Sequence, residues 1–214
     1  MSSALRFVLA TGNPDKAREI REIFDDVGLQ VRLIPRPADA PEVPETAPTL
    51  LGNALLKARK LVAFTGLAAM AEDTGLEVEA LGGAPGVLTA RFAGEPPDEQ
   101  ANVDKVLAEL ARARRRKPEE RRARFVTVAA ACWPDGREIT TEGRVEGWIA
   151  EERRGTGGFG YDPVFVPLEA DGRTFGELAA VSPAAKHALS HRGRAFVELA
   201  ERLKTVFPSA IMGK

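Results

Sequence analysis

Several features are scarce in this sequence, and each shortage excludes a class of protein. A single cysteine, Cys132, occurs in 214 residues, so no intramolecular disulfide can form, and its apolar surroundings predict a small buried thiol in a reducing compartment. No apolar run approaches the roughly 20 residues that cross a bilayer, and the N-terminus lacks the basic flank and cleavage site of a signal peptide. We therefore predict a cytoplasmic protein with no membrane partner.

Neither sign of charge is in excess. The formal net charge is −1, and hydrophobic and charged residues make up 44% and 29% of the chain, which is ordinary for a globular protein. A dedicated nucleic-acid binder is usually basic, so we predict no nucleic-acid partner. Arginines do gather at 111–124, but Glu119 and Glu120 interrupt them and aromatic residues are almost absent there. This pattern favours a solvated helix end over an RNA-binding patch.

Short apolar runs and helical repeats predict an α/β protein whose residues 1–214 form a single domain, with room for two lobes. The hairpin-type turn at 134–137 predicts that the strands on either side of it are antiparallel. Strands are predicted at 6–10, 30–34, 66–70, 125–133, 138–149 and 164–166, and helices from Pro14 to Gly28, from Thr49 to near Gly66, over 98–110, at 175–178 and up to Val206.

The first predicted strand runs into a turn that suits an anion. Asn13 fits a helix N-cap and Pro14 fits the first helical position. Unpaired amides at such a helix start, with the helix dipole behind them, bind phosphate groups well. Lys16 adds a positive charge one turn into the helix. The Walker pattern is absent, and an ordinary capped turn remains the alternative.

Two adjacent carboxylates, Glu72 and Asp73, follow the predicted strand at 66–70, and glycines come next. In open α/β sheets, ligands bind in the crevice outside the carboxyl ends of strands. Side chains of neighbouring extended residues point to opposite sides, so one carboxylate can face a metal or water and the other a basic partner. The alternative is a turn in which Asp73 or Thr74 bonds local amides.

Three other stretches contain candidates for ligand contact. Glu45 is presented from a proline-rich loop, where ligating carboxylates commonly lie. Asn53 and Lys57 are one helical turn apart and share a helix face. Gly155–Gly160 matches a dinucleotide-binding pattern by letter, but a strand follows it where that motif requires a helix. A flexible loop is predicted instead, presenting Phe159, Tyr161 and Asp162, and the Phe159 ring could stack on a flat ligand.

A cluster of three donor types is predicted at the start of a late helix. Lys186, His191 and Arg192 form this cluster, and it favours ligand contact. A lone histidine would more often be structural.

Four separated segments together resemble the inosine triphosphate pyrophosphatase family. They are Thr11–Lys16, Glu72–Leu76 with Leu81–Gly86, Gly157–Pro163 and Ser190–Arg192, and they cover nearly the whole chain. The resemblance implies an elongated central mixed β-sheet flanked by helices, with two lobes around a substrate cleft, in a homodimer. It also implies Mg²⁺-dependent hydrolysis of inosine, deoxyinosine and xanthosine triphosphates to the monophosphate and pyrophosphate.

The resemblance also implies a role for individual residues. Asp73 would be the proton acceptor, and Thr74 would contact substrate. Glu45, Glu72 and Asp73 would place magnesium, a hard cation that prefers oxygen ligands. Triphosphate contacts would come from Thr11, Gly12, Asn13, Pro14, Asp15, Lys16 and Lys57, and the base pocket from Phe159, Gly160, Tyr161, Asp162, Lys186, His191 and Arg192. At Gly52 many relatives carry a glutamate, which puts a secondary metal contact in doubt.

Two rival functions stay open on the sequence. A non-catalytic nucleotide- or RNA-binding module could use the arginine run and glycine loops. The acidic pair argues against it, because bare carboxylates repel phosphates unless a cation intervenes. A nucleotide pyrophosphatase of other base specificity, including pyrimidine specificity, is the second alternative.

Overall fold

The computed structural model describes residues 5–208, apart from the side chain of Pro183. The predicted α/β class is confirmed: strands and helices are interspersed along the chain. The strands are β1 (Leu5–Leu9), β2 (Val31–Ile34), β3 (Ala69–Val78), β4 (Pro85–Gly86), β5 (Arg122–Cys132), β6 (Glu138–Ile149) and β7 (Phe165–Pro167). The helices are α1 (Pro14–Asp26), α2 (Leu50–Thr65), α3 (Glu99–Arg112), α4 (Phe175–Val181), α5 (Pro183–Leu189) and α6 (His191–Val206).

The strands form a mixed seven-stranded sheet in the order β2-β1-β3-β5-β6-β7, with β4 beside β3. β1 runs parallel to β2 and to β3, whereas β4 is antiparallel to β3 and β7 is antiparallel to β6. The predicted turn after β5 is present, with Trp133 N donating to Arg137 O at 3.0 Å. It returns the chain so that β6 lies next to β5.

Local capping explains where the longer helices begin. The Asn13 side chain accepts from the amides of Asp15 and Lys16 at the start of α1. Thr49 accepts from Gly52 N at the start of α2, which ends at Gly66 in a left-handed conformation, φ 68°. These caps satisfy amides and carbonyls that a helix end would otherwise leave without partners. The predicted starts of α1 and α2 are therefore confirmed.

β3 is longer than predicted, and this changes the setting of the acidic pair. The expected strand at 66–70 ended before Glu72, but β3 runs from Ala69 to Val78. Only Ala69 and Met70 pair with β1, whose last residue is Leu9. The acidic pair therefore lies within β3 and beyond the end of its parallel neighbour. Both carboxylates are buried there and have cationic partners, which sequence spacing could not show.

The chain divides into two compact units, each with its own core. The first combines the described parts of 1–73, 127–143 and 192–214, and the second combines 74–126 and 144–191. In the first, Phe24 of α1 meets Phe196 of α6 edge to face, with ring centroids 5.8 Å apart. In the second, Phe125 meets Phe165 in the same way at 4.7 Å.

Two other predictions can be compared with these elements. Cys132 is buried as expected, and burial together with Glu138 raises the pKa of its thiol to about 12, so the reactive thiolate is scarce. None of the helices within residues 5–208 is long and apolar enough to cross a membrane.

Candidate active site

Lys57 is the centre of a charged cluster in the first unit. Its Nζ donates to Asp73 Oδ1 at 2.7 Å and to Glu45 Oε1 at 2.8 Å. α2 supplies the lysine, β3 supplies Asp73, and the proline-rich loop supplies Glu45. The structure thus brings together three residues that were predicted separately from the sequence.

Asn53 fixes the orientation of the Asp73 carboxylate. It lies one turn before Lys57 on α2 and is fully buried. Its side-chain NH₂ donates to Asp73 Oδ2 at 3.2 Å, while its carbonyl oxygen accepts from Ala47 N at 2.9 Å. Because both ends of the amide are used, Asn53 holds Asp73 and also holds the segment that follows Glu45.

Burial and the pair interaction act on these ionisable groups in opposite directions. Burial raises the pKa of Asp73 above its ordinary value, although Lys57 and the Asn53 hydrogen bond oppose this. For Lys57, burial lowers the pKa, but Asp73 and Glu45 outweigh it and the net shift is upward. The lysine therefore stays charged, and Asp73 is a stronger proton acceptor than an exposed aspartate.

Glu72 belongs to a second network in the same unit. Lys16 Nζ lies 2.6 Å from Glu72 Oε1, and Arg192 Nη2 donates to both Glu72 oxygens at 3.3–3.4 Å. Arg192 Nη1 also donates to Glu19 Oε2 at 2.6 Å. Burial raises the pKa of Glu72, but Arg192 and Lys16 together bring it well below its ordinary value. The carboxylate is therefore ionised at neutral pH.

The start of α1 differs from the predicted anion site in one respect. Asn13 Oδ1 accepts from Asp15 N at 2.9 Å and Lys16 N at 3.2 Å, and Asn13 O accepts from Ala17 N at 3.1 Å. The expectation that unpaired amides point outward here is therefore wrong, because Asn13 caps them. The features of this turn that suit an anion are then the helix dipole, the Lys16 ammonium and the Thr11 hydroxyl; that hydroxyl oxygen accepts from Asn13 N at 3.0 Å.

The rest of this turn is open around its glycine. A Cβ built on Gly12 would meet no atom within 4 Å, so the free protein leaves space there. Asp15 is partly exposed and pairs with Arg18 at 2.8 Å. Pro14 is the first residue of α1, as predicted.

In the second unit, Lys186 is buried against the glycine loop. Its Nζ lies 2.7 Å from Asp162 Oδ2 and 4.6 Å from the centroid of the Phe159 ring. The same carboxylate oxygen accepts from Phe159 N at 2.9 Å. Gly158 is required beside it, because its φ is +75° and an added Cβ would lie 2.2 Å from Asp162 Oδ2. The loop is thus cross-linked by its own carboxylate, and its flexibility stays a prediction.

Two other predicted residues of this unit, Tyr161 and His191, are more buried than expected. The Tyr161 ring is buried in the core and its hydroxyl donates to Thr89 O at 3.0 Å, so the expectation that the loop presents two aromatic side chains is wrong. His191 is buried and stacks on Phe125, with centroids 4.4 Å apart. Thr74 follows Asp73 on β3 and is partly buried, and Gly160 N donates to Glu99 Oε2 at 2.9 Å.

The predicted donor cluster is distributed over two helices. Lys186 lies in α5, while His191 and Arg192 open α6. The single late helix start predicted from sequence is therefore wrong, because Ser190 interrupts the helical run in an extended conformation, with ψ 151°.

Two residues of these networks were missed as functional candidates. Glu19 follows Lys16 by three residues on α1, so helical spacing places both on one face. Its partner Arg192 is 173 positions away, and no local signal points to it. For Asn53, the sequence shows only that it shares a helix face with Lys57.

Several known proteins are similar to this chain over nearly its whole length. The sequence model of the Ham1 family matches residues 7–202. A dITP/XTP pyrophosphatase of Symbiobacterium thermophilum is 48% identical over 202 residues, which cover 94% of this chain and 96% of the relative. A solved HAM1 protein from Coxiella burnetii has a TM-score of 0.82 at 38% identity, covering 94% of this chain and 99% of that one. A nucleoside-triphosphatase / dITP/XTP pyrophosphatase from Mycobacterium abscessus has a TM-score of 0.71 at 42% identity, with 94% and 100% covered.

Proposed function

The chain belongs to the Ham1 family, and from that premise we propose that it hydrolyses noncanonical purine nucleoside triphosphates. The substrates are ITP, dITP and XTP, and the products are the nucleoside monophosphate and pyrophosphate. The reaction removes deaminated purines from the nucleotide pool. The observation that carries this proposal is the convergence of Asp73, Glu45 and Lys57, with the Asp73 carboxylate oriented by Asn53.

The residues of the first unit supply what hydrolysis at a phosphoryl centre requires. A water attacks phosphorus, the anhydride bond to pyrophosphate breaks, and the water loses a proton. Asp73 accepts that proton, which its raised pKa favours. Lys16 and Lys57 place positive charge opposite the phosphates. The Thr11 hydroxyl can donate a hydrogen bond to them, and the dipole of α1 directs its positive end at them.

The chemistry of this cluster fits a magnesium ion. Glu45 and Asp73 both direct an oxygen at one ammonium group, so two carboxylates already converge where positive charge is needed. Mg²⁺ typically binds one or two carboxylates together with substrate phosphates. When bound, the ion would neutralise charge that develops on the phosphates.

The contact of Glu72 with the metal stays a prediction, since Glu72 lies against Lys16 and Arg192.

The departure at Gly52 has a local reason. A Cβ there would lie 2.6 Å from the Ala47 Cβ, so the glutamate that many relatives carry would need a different loop.

In the second unit, Lys186 and Phe159 are the proposed contacts for the base. A lysine can donate to the C6 keto oxygen of inosine and xanthosine, where adenosine carries an amino group, and Phe159 can stack on the ring. Contacts of Gly160, Tyr161, Asp162, His191 and Arg192 with the base and of Thr74 with substrate stay predictions. The burial of the Tyr161 ring in the core favours a contact through its backbone.

A nucleotide panel with magnesium, with monophosphate and pyrophosphate both measured, tests the function. We expect fast turnover of ITP, dITP and XTP, slower turnover of GTP, and least with ATP and pyrimidine nucleotides. Tight binding without turnover would support a binding module instead, and equal rates on ATP and ITP would contradict the base contacts. Omitting magnesium should abolish turnover.

An Asp73→Asn variant tests the proton acceptor. Loss of a general base typically costs about 10²–10⁴-fold in turnover, and we expect the KM for ITP to change little. Asp135→Asn, in the exposed turn after β5, is the matched control. Turnover of Asp73→Asn within about threefold of the parent would show that Asp73 is not the base.

We also propose a homodimer, as the family resemblance implies, and a location in the cytoplasm. Sedimentation equilibrium of the purified chain would decide the first point, since a monomer at micromolar concentration contradicts it.

A further inference from the structure

A pocket of about 280 Å³ lies beside the phosphate turn in the first unit. Gly12 and Lys57 line it, and both belong to the proposed phosphate contacts. Arg36, after β2, and Lys60, one helical turn after Lys57, line it as well. Gly12 and Arg36 also line a neighbouring pocket of about 270 Å³, together with Thr11, Asn13 and Pro14 of the turn. The cavity therefore extends directly from the place where the triphosphate is proposed to bind.

The charge in this pocket is mostly positive. Arg36, Lys57 and Lys60 are the basic residues that line it and Glu42 is the acidic one, while the charge of Lys57 is already compensated by Asp73 and Glu45. The Arg36 guanidinium is anchored, since Nη2 donates to Ala40 O at 2.7 Å. Within the part of the chain that the structure describes, neither Arg36 nor Lys60 forms an ion pair.

Other cations on the same elements are neutralised, which makes this pair unusual. Arg59, next to Lys60 on α2, pairs with Glu138 at 2.6 Å. Lys57 itself is held by Asp73 and Glu45. Two basic side chains without carboxylate partners, in a concave pocket that adjoins a phosphate site, suit a small polyanion.

We infer that Arg36 and Lys60 form a subsite for inorganic pyrophosphate, the product that leaves the reaction. The inference rests on the proposed function for the origin of its ligand. Pyrophosphate carries several negative charges and must leave a site that attracts them. Cations just outside that site give it an intermediate position, while the monophosphate product, which lacks these two phosphates, does not reach them.

Calorimetric titration with pyrophosphate at fixed magnesium tests this directly, because it requires no turnover. We expect the double variant Arg36→Gln, Lys60→Gln to bind pyrophosphate at least roughly tenfold more weakly than the parent, since each lost charged hydrogen bond is substantial. Inosine monophosphate should bind both proteins equally, and orthophosphate should bind both weakly. In steady state, the inhibition constant for pyrophosphate should rise by the same factor.

Arg59→Gln is the control, because it removes one positive charge from the same helix as Lys60 but from outside the pocket. It should bind pyrophosphate as the parent does. The charge-preserving variant Arg36→Lys, Lys60→Arg should also retain binding, which keeps the test decisive if the glutamine variant does not fold.

Three results would overturn the subsite: no pyrophosphate binding by the parent, binding by the glutamine variant within twofold of the parent, or an equal loss in Arg59→Gln. A failure of the proposed function has a different signature. In that case no triphosphate is turned over, whatever the pyrophosphate titration gives.

Discussion

At the scale of single residues, the site depends on how the side chain of Asp73 is held. Asp73 is buried, and a buried carboxylate needs partners that compensate its charge and fix its orientation. Lys57 supplies the charge and Asn53 supplies the direction. The second role is separable by mutation, because removing an amide leaves the net charge of the cluster unchanged.

Asn53→Ala should lower turnover far more than it weakens substrate binding. A misplaced catalytic group of this kind costs on the order of 10²-fold in rate, so we expect a fall in kcat of that order with KM changed by less than about threefold. Steady-state kinetics on ITP gives both values. A change in KM with kcat unchanged would contradict the orienting role.

Asn102→Ala is the control for general loss of stability. Asn102 is likewise buried near the start of a helix, and its amide donates to Ala90 O at 2.9 Å and accepts from Ala93 N at 2.6 Å. It lies in the second unit and contacts none of the proposed catalytic groups in these bonds. We expect comparable thermal destabilisation in both variants and normal kcat in Asn102→Ala.

Residue chemistry in this chain was predictable where it is local. Asn13 as the α1 cap, and Lys57 beside Asn53, follow from spacing along a helix. The ion pair of Glu19 and Arg192 does not, because only folding brings these positions together. Because Asn13 caps the first amides of α1, these amides are not the ligand donors that the sequence predicted.

At the scale of secondary structure, helices were predicted better than strands for the same reason. α1, α2 and α3 each begin at an N-cap residue whose side chain accepts from amides two or three positions later, so the signal is local in sequence. β3 extends through two carboxylates because partners on α1, α2 and α6 compensate them, and strand patterns contain no information on such partners. Helix start signals also missed the break at Ser190, which an extended residue creates.

The arginine run after α3 shows the same limit. Its exposed members agree with the predicted solvated helix end, but Arg121 is buried. Its guanidinium donates to Ile149 O at 2.5 Å, Ala150 O at 2.6 Å and Arg115 O at 2.7 Å. One side chain thus ties the end of β6 to the segment that follows α3, which composition alone could not reveal.

Arg121→Ala should therefore destabilise the second unit. It leaves three carbonyl oxygens without their donor, and we expect a loss of about 3–4 kcal/mol in the free energy of unfolding. Urea unfolding measures it. Arg116→Ala, at an exposed position of the same run, should change stability by less than about 0.5 kcal/mol. Equal effects of the two substitutions would mean that Arg121 is no more than a solvated side chain.

At the scale of the whole molecule, the network of Lys16, Glu72, Arg192 and Glu19 links the two ends of the described chain. α1 lies near its start and α6 near its end, and the network joins both to β3. These four side chains carry balanced charge in a largely buried setting. Breaking such a group by removing one partner is far more costly than its formation is favourable, because a buried charge is left uncompensated.

Glu72→Gln therefore should unfold more easily, and the difference should depend on pH in a defined direction. At pH 7 we expect a loss of about 3–5 kcal/mol in the free energy of unfolding. The pKa of Glu72 is lower in the folded state than in the unfolded chain. Its contribution is therefore fully present above about pH 4.3, the ordinary pKa of a glutamate, and is lost as pH falls from there towards the folded value.

Urea unfolding of the parent and Glu72→Gln at pH 7 and pH 3.5 measures this dependence. The gap between them should be smaller at pH 3.5 by about 1 kcal/mol, since each pH unit below 4.3 removes about 1.4 kcal/mol from the parent alone. Glu146→Gln, at an exposed position of β6, should unfold like the parent at both values. A gap of the same size at pH 7 and pH 3.5 would show that packing around residue 72, and not its ionised carboxylate, holds α1, β3 and α6 together.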